Sequence, residues 1–125
     1  MLQLDPANIY VLNNYAYYLS LSERNLDKAE QMSEKTIKIE PESSTYLDTY
    51  AWVLYKRKNF EKALIFIEKA YKNGGQDNGE IAEHYADILY CNDKKEQAMD
   101  LWRMAINLGQ NRDLIEKKML GYRCK

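Results

Sequence analysis

Between residues 46 and 57 the apolar side chains fall at 46, 47, 50, 51, 54 and 55. Steps of three and four residues put them on one stripe of an amphipathic helix. Ser43 and Ser44 precede the stripe and can cap its first amide groups. The basic run Lys56-Arg57-Lys58 ends it, as suits the negative end of a helix dipole. The same spacing resumes at Phe60, Ala63, Leu64, Ile67, Ala70 and Tyr71, and stops at NGGQDNG, where glycines can take positive φ. The stretch therefore predicts a helix, a tight turn and a second helix. Equivalent pairs are predicted over 7–21 with 26–39, the latter closed by Pro41, and over 79–91 with 94–107. A seventh helix is predicted over 111–121. No segment alternates with the period of a strand, and no linker is long enough to divide the chain. Only five glycines and two prolines interrupt it.

The three pairs share more than helical spacing. NYAYYL begins at 14, TYAWVL at 49 and HYADIL at 84, so that Ala16, Ala51 and Ala86 recur every 35 residues. Around them stand Tyr50, Leu54, Phe60, Ala63 and Ala70 in the second unit. The third unit has Tyr85, Leu89, Ala98, Trp102 and Ala105, and the first has Tyr15, Leu19, Ala29 and Pro41. This pattern resembles the tetratricopeptide repeat, a helix–turn–helix unit of about 34 residues. The repeats closely resemble those near the C-termini of bacterial members, some exported to the cell envelope and others cytoplasmic. The units would span 9–43, 44–77 and 79–112, with one extra residue in the first unit's turn. Ser33, Thr36, Lys95, Gly75 and Gln110 depart from the residues the family prefers at their places.

The resemblance implies an all-α fold, an α-α superhelix or solenoid of three repeats and a C-terminal capping helix, forming one domain over 1–125. Small alanines on both helices of a unit would let them approach closely, Ala16 facing Ala29, Ala51 facing Ala63 and Ala86 facing Ala98. Leu12, Leu47, Leu54, Ile67, Leu89 and Trp102 would fill the space between units, since a lone hairpin cannot bury its apolar face. LDPAN at 4–8 is similar to IEPES at 39–43 and is expected to be the tail of a preceding repeat, making the chain part of a longer array. In the capping helix, Leu114, Ile115, Met119 and Leu120 are expected to face inward, with Glu116, Lys117 and Arg123 outward.

In this family the first helices of the units line a concave groove. The positions that would point into it are Tyr10, Asn13, Asn14, Tyr17, Ser20 and Leu21 in the first unit. In the second they are Thr45, Asp48, Thr49, Trp52, Tyr55 and Lys56, and in the third Glu80, Glu83, His84, Asp87, Tyr90 and Cys91. Tyr17, Trp52, Tyr55 and Tyr90 are expected to form an exposed aromatic strip, a surface suited to binding. The family's carboxylate clamp is absent, because Asn13, Tyr17, Thr49, Glu80 and His84 stand where its lysine, arginine and asparagine would. Asp48, Glu80, Glu83 and Asp87 make the groove acidic and favour a neutral, aromatic or basic segment over a free C-terminal carboxylate. The expected role is protein–protein interaction or scaffolding. The alternatives are a purely structural segment of an array, or self-association through the N-terminal stacking face.

Composition narrows the rest. The net charge of -1 gives no pull toward nucleic acid. The longest apolar runs, such as ALIFI at 63–67, fall far short of the roughly 20 residues that span a bilayer. The first residues lack the basic start and apolar stretch of a signal peptide. Cys91 and Cys124 are far apart and are expected to be free thiols. His84 is the single histidine, which argues against an enzyme. His84, Asp87 and Cys91 share a helix face, but i to i+7 spans about 10 Å, too far for one ion with ligands at about 2 Å. The basic stretch YKRKNFEK at 55–62 reads as a solvated helix end. No cofactor or metal is expected.

Overall fold

The computed structural model of the chain describes residues 8–124. Seven α-helices account for most of them: α1 Ile9–Ser22, α2 Leu26–Ile39, α3 Ser44–Lys56, α4 Phe60–Lys72, α5 Gly79–Tyr90, α6 Lys95–Asn107 and α7 Arg112–Gly121. A short 3-10 turn, Gly75–Asp77, precedes α5, and no strand occurs among the described residues. The segment likened to a preceding repeat, apart from Asn8, lies outside the described residues.

Side-chain chemistry fixes the helix starts. Ser43 accepts from the amide of Tyr46, Asn78 from that of Ile81 and Asn111 from that of Leu114. Each thereby satisfies one of the donors that a first turn leaves unpaired. The 35-residue period is also written in the backbone. Glu23, Lys58 and Asp93, each 35 apart, take left-handed φ values of 56°, 66° and 63° at the ends of α1, α3 and α5. At each of these ends the next residue's amide bonds five residues back, Arg24 to Leu19, Asn59 to Leu54 and Lys94 to Leu89. The left-handed residue itself bonds three back, to Ser20, Tyr55 and Tyr90. These are the paired bonds of a Schellman turn. The turn is reached without glycine in all three units, so tertiary packing must impose it over the intrinsic preference for negative φ.

The helices pack in sequential pairs, α1 on α2, α3 on α4 and α5 on α6. Further contacts of α2 with α3, α4 with α5, α1 with α3 and α3 with α5 join each pair to the next. Ala16, Ala29, Ala51, Ala63, Ala86 and Ala98 are all fully buried, as the close approach of paired helices requires. Leu12, Leu47, Leu54, Ile67, Leu89 and Trp102 are buried among them. Ala51→Leu is expected to overpack the α3–α4 contact and cost roughly 1–3 kcal/mol. Thermal unfolding should show it as a melting temperature lower by roughly 4–12 °C, whereas exposed Ile65→Leu should leave the midpoint in place.

The last helix departs from expectation. Ile115 is buried and Met119 half-buried, but Leu114 and Leu120 face solvent, Leu120 at 89% exposure. Lys118, not a leucine, turns inward. The reason is electrostatic: two carboxylates on α5 wait for it.

Candidate functional site

Helical spacing gathers the relevant side chains on one face. On α5, Glu80, Glu83, His84 and Asp87, with Cys91 just past its end, follow steps of three and four, and on α3 Asp48, Trp52 and Tyr55 do the same. The two rows meet along the α3–α5 contact, and Tyr17 reaches in from α1. Tyr17 Oη donates to Glu80 Oε2 at 2.8 Å. His84 Nδ1 donates to Asp48 Oδ1 at 2.8 Å. The Trp52 ring stacks on His84 at 4.0 Å and on Tyr55 at 4.6 Å between centroids.

The expected exposed strip is instead closed. Trp52 is 7% and Tyr55 3% exposed, and Asn13, Asp48, Thr49, His84 and Asp87 are buried as well. Tyr17 and Tyr90 are half-buried. Rings in a row expose too much apolar area to stay in water: His84 and Tyr55 stack on Trp52, and the C-terminal segment closes over Tyr55 and Tyr90. Tyr122 joins Tyr55 through a hydrogen bond between their hydroxyls. Its ring sits edge-on to Tyr90 at 5.8 Å and to Trp102 at 5.7 Å. Lys118 Nζ donates to Glu83 Oε2 at 2.6 Å and to Asp87 Oδ2 at 2.8 Å. Gln110 Nε2 donates to Glu83 Oε1 at 2.8 Å, and Trp102 Nε1 to Asp87 Oδ1 at 2.8 Å.

Cys91 and Cys124 are joined in a disulfide, with Cα atoms 5.6 Å apart. This corrects the expectation of two free thiols. Separation by 33 residues in sequence says nothing about separation in space once α7 folds back onto the end of α5. The members of the face His84–Asp87–Cys91 are each engaged elsewhere: on Asp48, on Lys118 with Trp102, and in the disulfide.

Burial and charge act against each other throughout. Burial pulls the His84 imidazole down, but the carboxylates of Asp48, Asp87 and Glu80 outweigh it and hold the ring above its ordinary value. Burial pushes Asp87 up, only partly opposed by Lys118 and the Trp102 N–H. For Lys118 burial is likewise outweighed, by Asp87 and Glu83, so the ammonium is held charged. Glu83 ends below its usual range because Lys118 and Gln110 overcome its burial. The Tyr55 phenol is pushed up to about 12 by burial, although its bond to Tyr122 works the other way.

Tyr10 and Asn14 do not join this cluster. With Asn13 they border a separate cleft of about 260 Å³ against Glu40, Ser43, Thr45 and Tyr46. The residues that sequence reading missed are Lys118, Tyr122, Cys124 and Gln110, all contributed from beyond α6. Their signal was present: Lys118 and Tyr122 are four residues apart, and the one other cysteine follows two residues later.

The sequence matches no family model and no curated protein. Among the described residues, no helix is long and apolar enough to cross a membrane.

Proposed function

We propose that the chain is a helical-repeat module of the tetratricopeptide type, a protein–protein interaction or scaffold unit. Its ligand surface is the face shared by α1, α3 and α5. The observation that carries this reading is the recurrence every 35 residues of the same left-handed turn with the same two backbone bonds, beside the same buried alanine. Chains built of such repeats use stacking to make a core and a long lateral face to bind. The chemistry of that face supports a basic or aromatic segment. Glu80, Glu83, Asp48 and Asp87 lie on it, and a lysine with a tyrosine already satisfies part of it. A free carboxylate would be repelled.

The test is capture of binding proteins from source-cell lysate by the full chain, under both oxidising and reducing conditions, beside Tyr17→Ala/Glu80→Lys. Circular dichroism checks that the variant keeps its helices. A protein held by the wild type and lost from the variant supports the reading. Identical recovery by both, or no recovery in either condition, removes it. A second reading, self-association, is favoured by Val11, Tyr15 and Tyr18, which line one exposed stripe of α1 with Tyr15 and Tyr18 stacked at 6.4 Å. A mass that stays monomeric at every concentration eliminates that one.

A further inference from the structure

The C-terminal segment is held on the α3–α5 face by unlike means. Lys118 meets two carboxylates, Tyr122 meets Tyr55, and Cys124 is bonded to Cys91. Apolar packing joins these, from half-buried Met119 and from the Tyr122 ring against Tyr90 and Trp102. Ile115 is the one α7 residue fully buried, while Leu114 and Leu120 remain in solvent. A helix of ten residues has little stability of its own. The covalent bond fixes the end of the segment that lies beyond the helix. It is also reachable: both cysteines are partly exposed, and an open cleft of about 430 Å³ lined by Lys58, Asn59, Phe60 and Asn92 borders Cys91.

We infer that residues 118–124 form a redox-latched strap: a dithiol reductant that opens Cys91–Cys124 frees the strap, and the uncovered α3–α5 face takes a segment of another protein that offers a cation at a helix end and a phenol four residues on, in extended chain. This rests on the interaction reading above and specifies its ligand and its control. In the opening step one thiolate of the dithiol attacks a sulfur of the bond, giving a mixed disulfide and one free cysteine. The second thiol of the reductant then displaces the other cysteine. Two electrons and two protons pass to Cys91 and Cys124, and the reductant leaves as its own disulfide. The exposed site is then a pair of carboxylates, Glu83 and Asp87, beside the Tyr55 hydroxyl and the Tyr90 and Trp102 rings. Those groups fit a lysine or arginine followed four residues later by a tyrosine, as in the strap itself, where Lys118 is on α7 and Tyr122 is extended just past its end. While the bond is closed, the strap competes at the high effective concentration of a tethered ligand fixed at both ends. With one end free that concentration falls.

The experiment uses the full chain and a fluorescent synthetic peptide of residues 112–124 carrying Cys124→Ser. The peptide is titrated into the oxidised chain, the chain reduced with dithiothreitol, and a Tyr122→Ala/Cys124→Ser variant whose strap cannot seat. The reduced chain is expected to bind at least tenfold more tightly than the oxidised one. The variant is expected to bind as well or better, and a peptide with Lys118→Ala or Tyr122→Ala is expected to lose the gain. Amide hydrogen exchange of residues 112–124 should quicken on reduction. If the variant binds the peptide but reduction changes neither affinity nor exchange, the latch is wrong and the interaction reading stands. If the folded variant binds no peptide, the face is not a ligand site and both fall. Reduced chains that pair with one another instead of taking the peptide overturn release, since the straps would then be exchanged rather than freed.

Discussion

Trp102→Ala is expected to lower the unfolding free energy by about 4 kcal/mol, near the middle of the range for removing a buried aromatic ring. The side chain is fully buried between α5 and α6, among Ala82, Ala86, Leu89, Ala98, Ala105 and Ile115. Small neighbours cannot swing in to fill the space, so a cavity remains and its cost adds to the lost transfer free energy. The indole N–H donated to Asp87 goes too, leaving a buried carboxylate with one partner fewer. Tyr122 also loses a ring it leans on, so the C-terminal segment should loosen with the core. Urea unfolding followed by circular dichroism is the measurement, and the midpoint should fall by roughly 2 M. Trp102→Phe separates the two causes: it keeps most of the ring and removes the donor, and should cost about 1–2 kcal/mol. A loss below about 1 kcal/mol for Trp102→Ala would show that this cluster does not hold α5 to α6.

Most of the architecture was legible because it depends on local spacing. The stripe of 46, 47, 50, 51, 54 and 55 needs no distant partner to specify a helix, and α3 begins and ends within two residues of the expectation. The alanine pairs were legible for the same reason: a fixed period means that what one unit buries, the next buries too. The site was read only in part. Sequence placed Asp48, Trp52, Tyr55, His84 and Asp87 on one face but gave no means of knowing what covered it. Trp52 looked exposed because helical phase says which way a residue points, not what packs against it, here His84 from α5 and Tyr55. The segment that closes over Tyr55 and Tyr90 follows the last repeat-like unit, so no periodicity predicts its position. The pair Lys117-Lys118 reads in sequence as a solvated helix end, followed by Met119 and Leu120 expected to face inward. Two carboxylates on α5, close in space and about thirty positions away in sequence, reverse that assignment. The disulfide was missed on the same ground.

Lys118→Met tests how that arrangement is balanced. Met keeps the apolar stem and removes the charge. The Asp87 side chain is 2% exposed and Glu83 18%, so Asp87 would be left as a carboxylate with little water to solvate it. Breaking a fully buried pair costs about 3–5 kcal/mol. Lys118 is itself a quarter exposed, and Trp102 and His84 still face Asp87, so about 2–3 kcal/mol is expected at pH 7. The pH dependence follows from the directions of the shifts. Lys118 is held above its ordinary 10.5, so its contribution is complete at neutral pH and disappears only as pH rises through the folded value. Glu83 is held below its ordinary 4.5, so its share is present above that value and is lost as pH falls through the folded one. Asp87 is already raised by burial, and without Lys118 it should rise further and take up a proton more readily. The penalty of Lys118→Met should therefore be largest at neutral pH and shrink as pH falls and Asp87 takes up its proton, since the neutral acid no longer needs a cation. Adding Asp87→Asn to Lys118→Met should recover most of the loss at pH 7, because the amide oxygen can still accept from Trp102 and carries no charge. Urea unfolding of the four proteins at pH 7.5 and 4.5 gives the coupling directly. A penalty that stays constant with pH, or a double variant no better than Lys118→Met, would mean that Lys118 acts through packing and that the carboxylates on α5 do not hold the C-terminal segment.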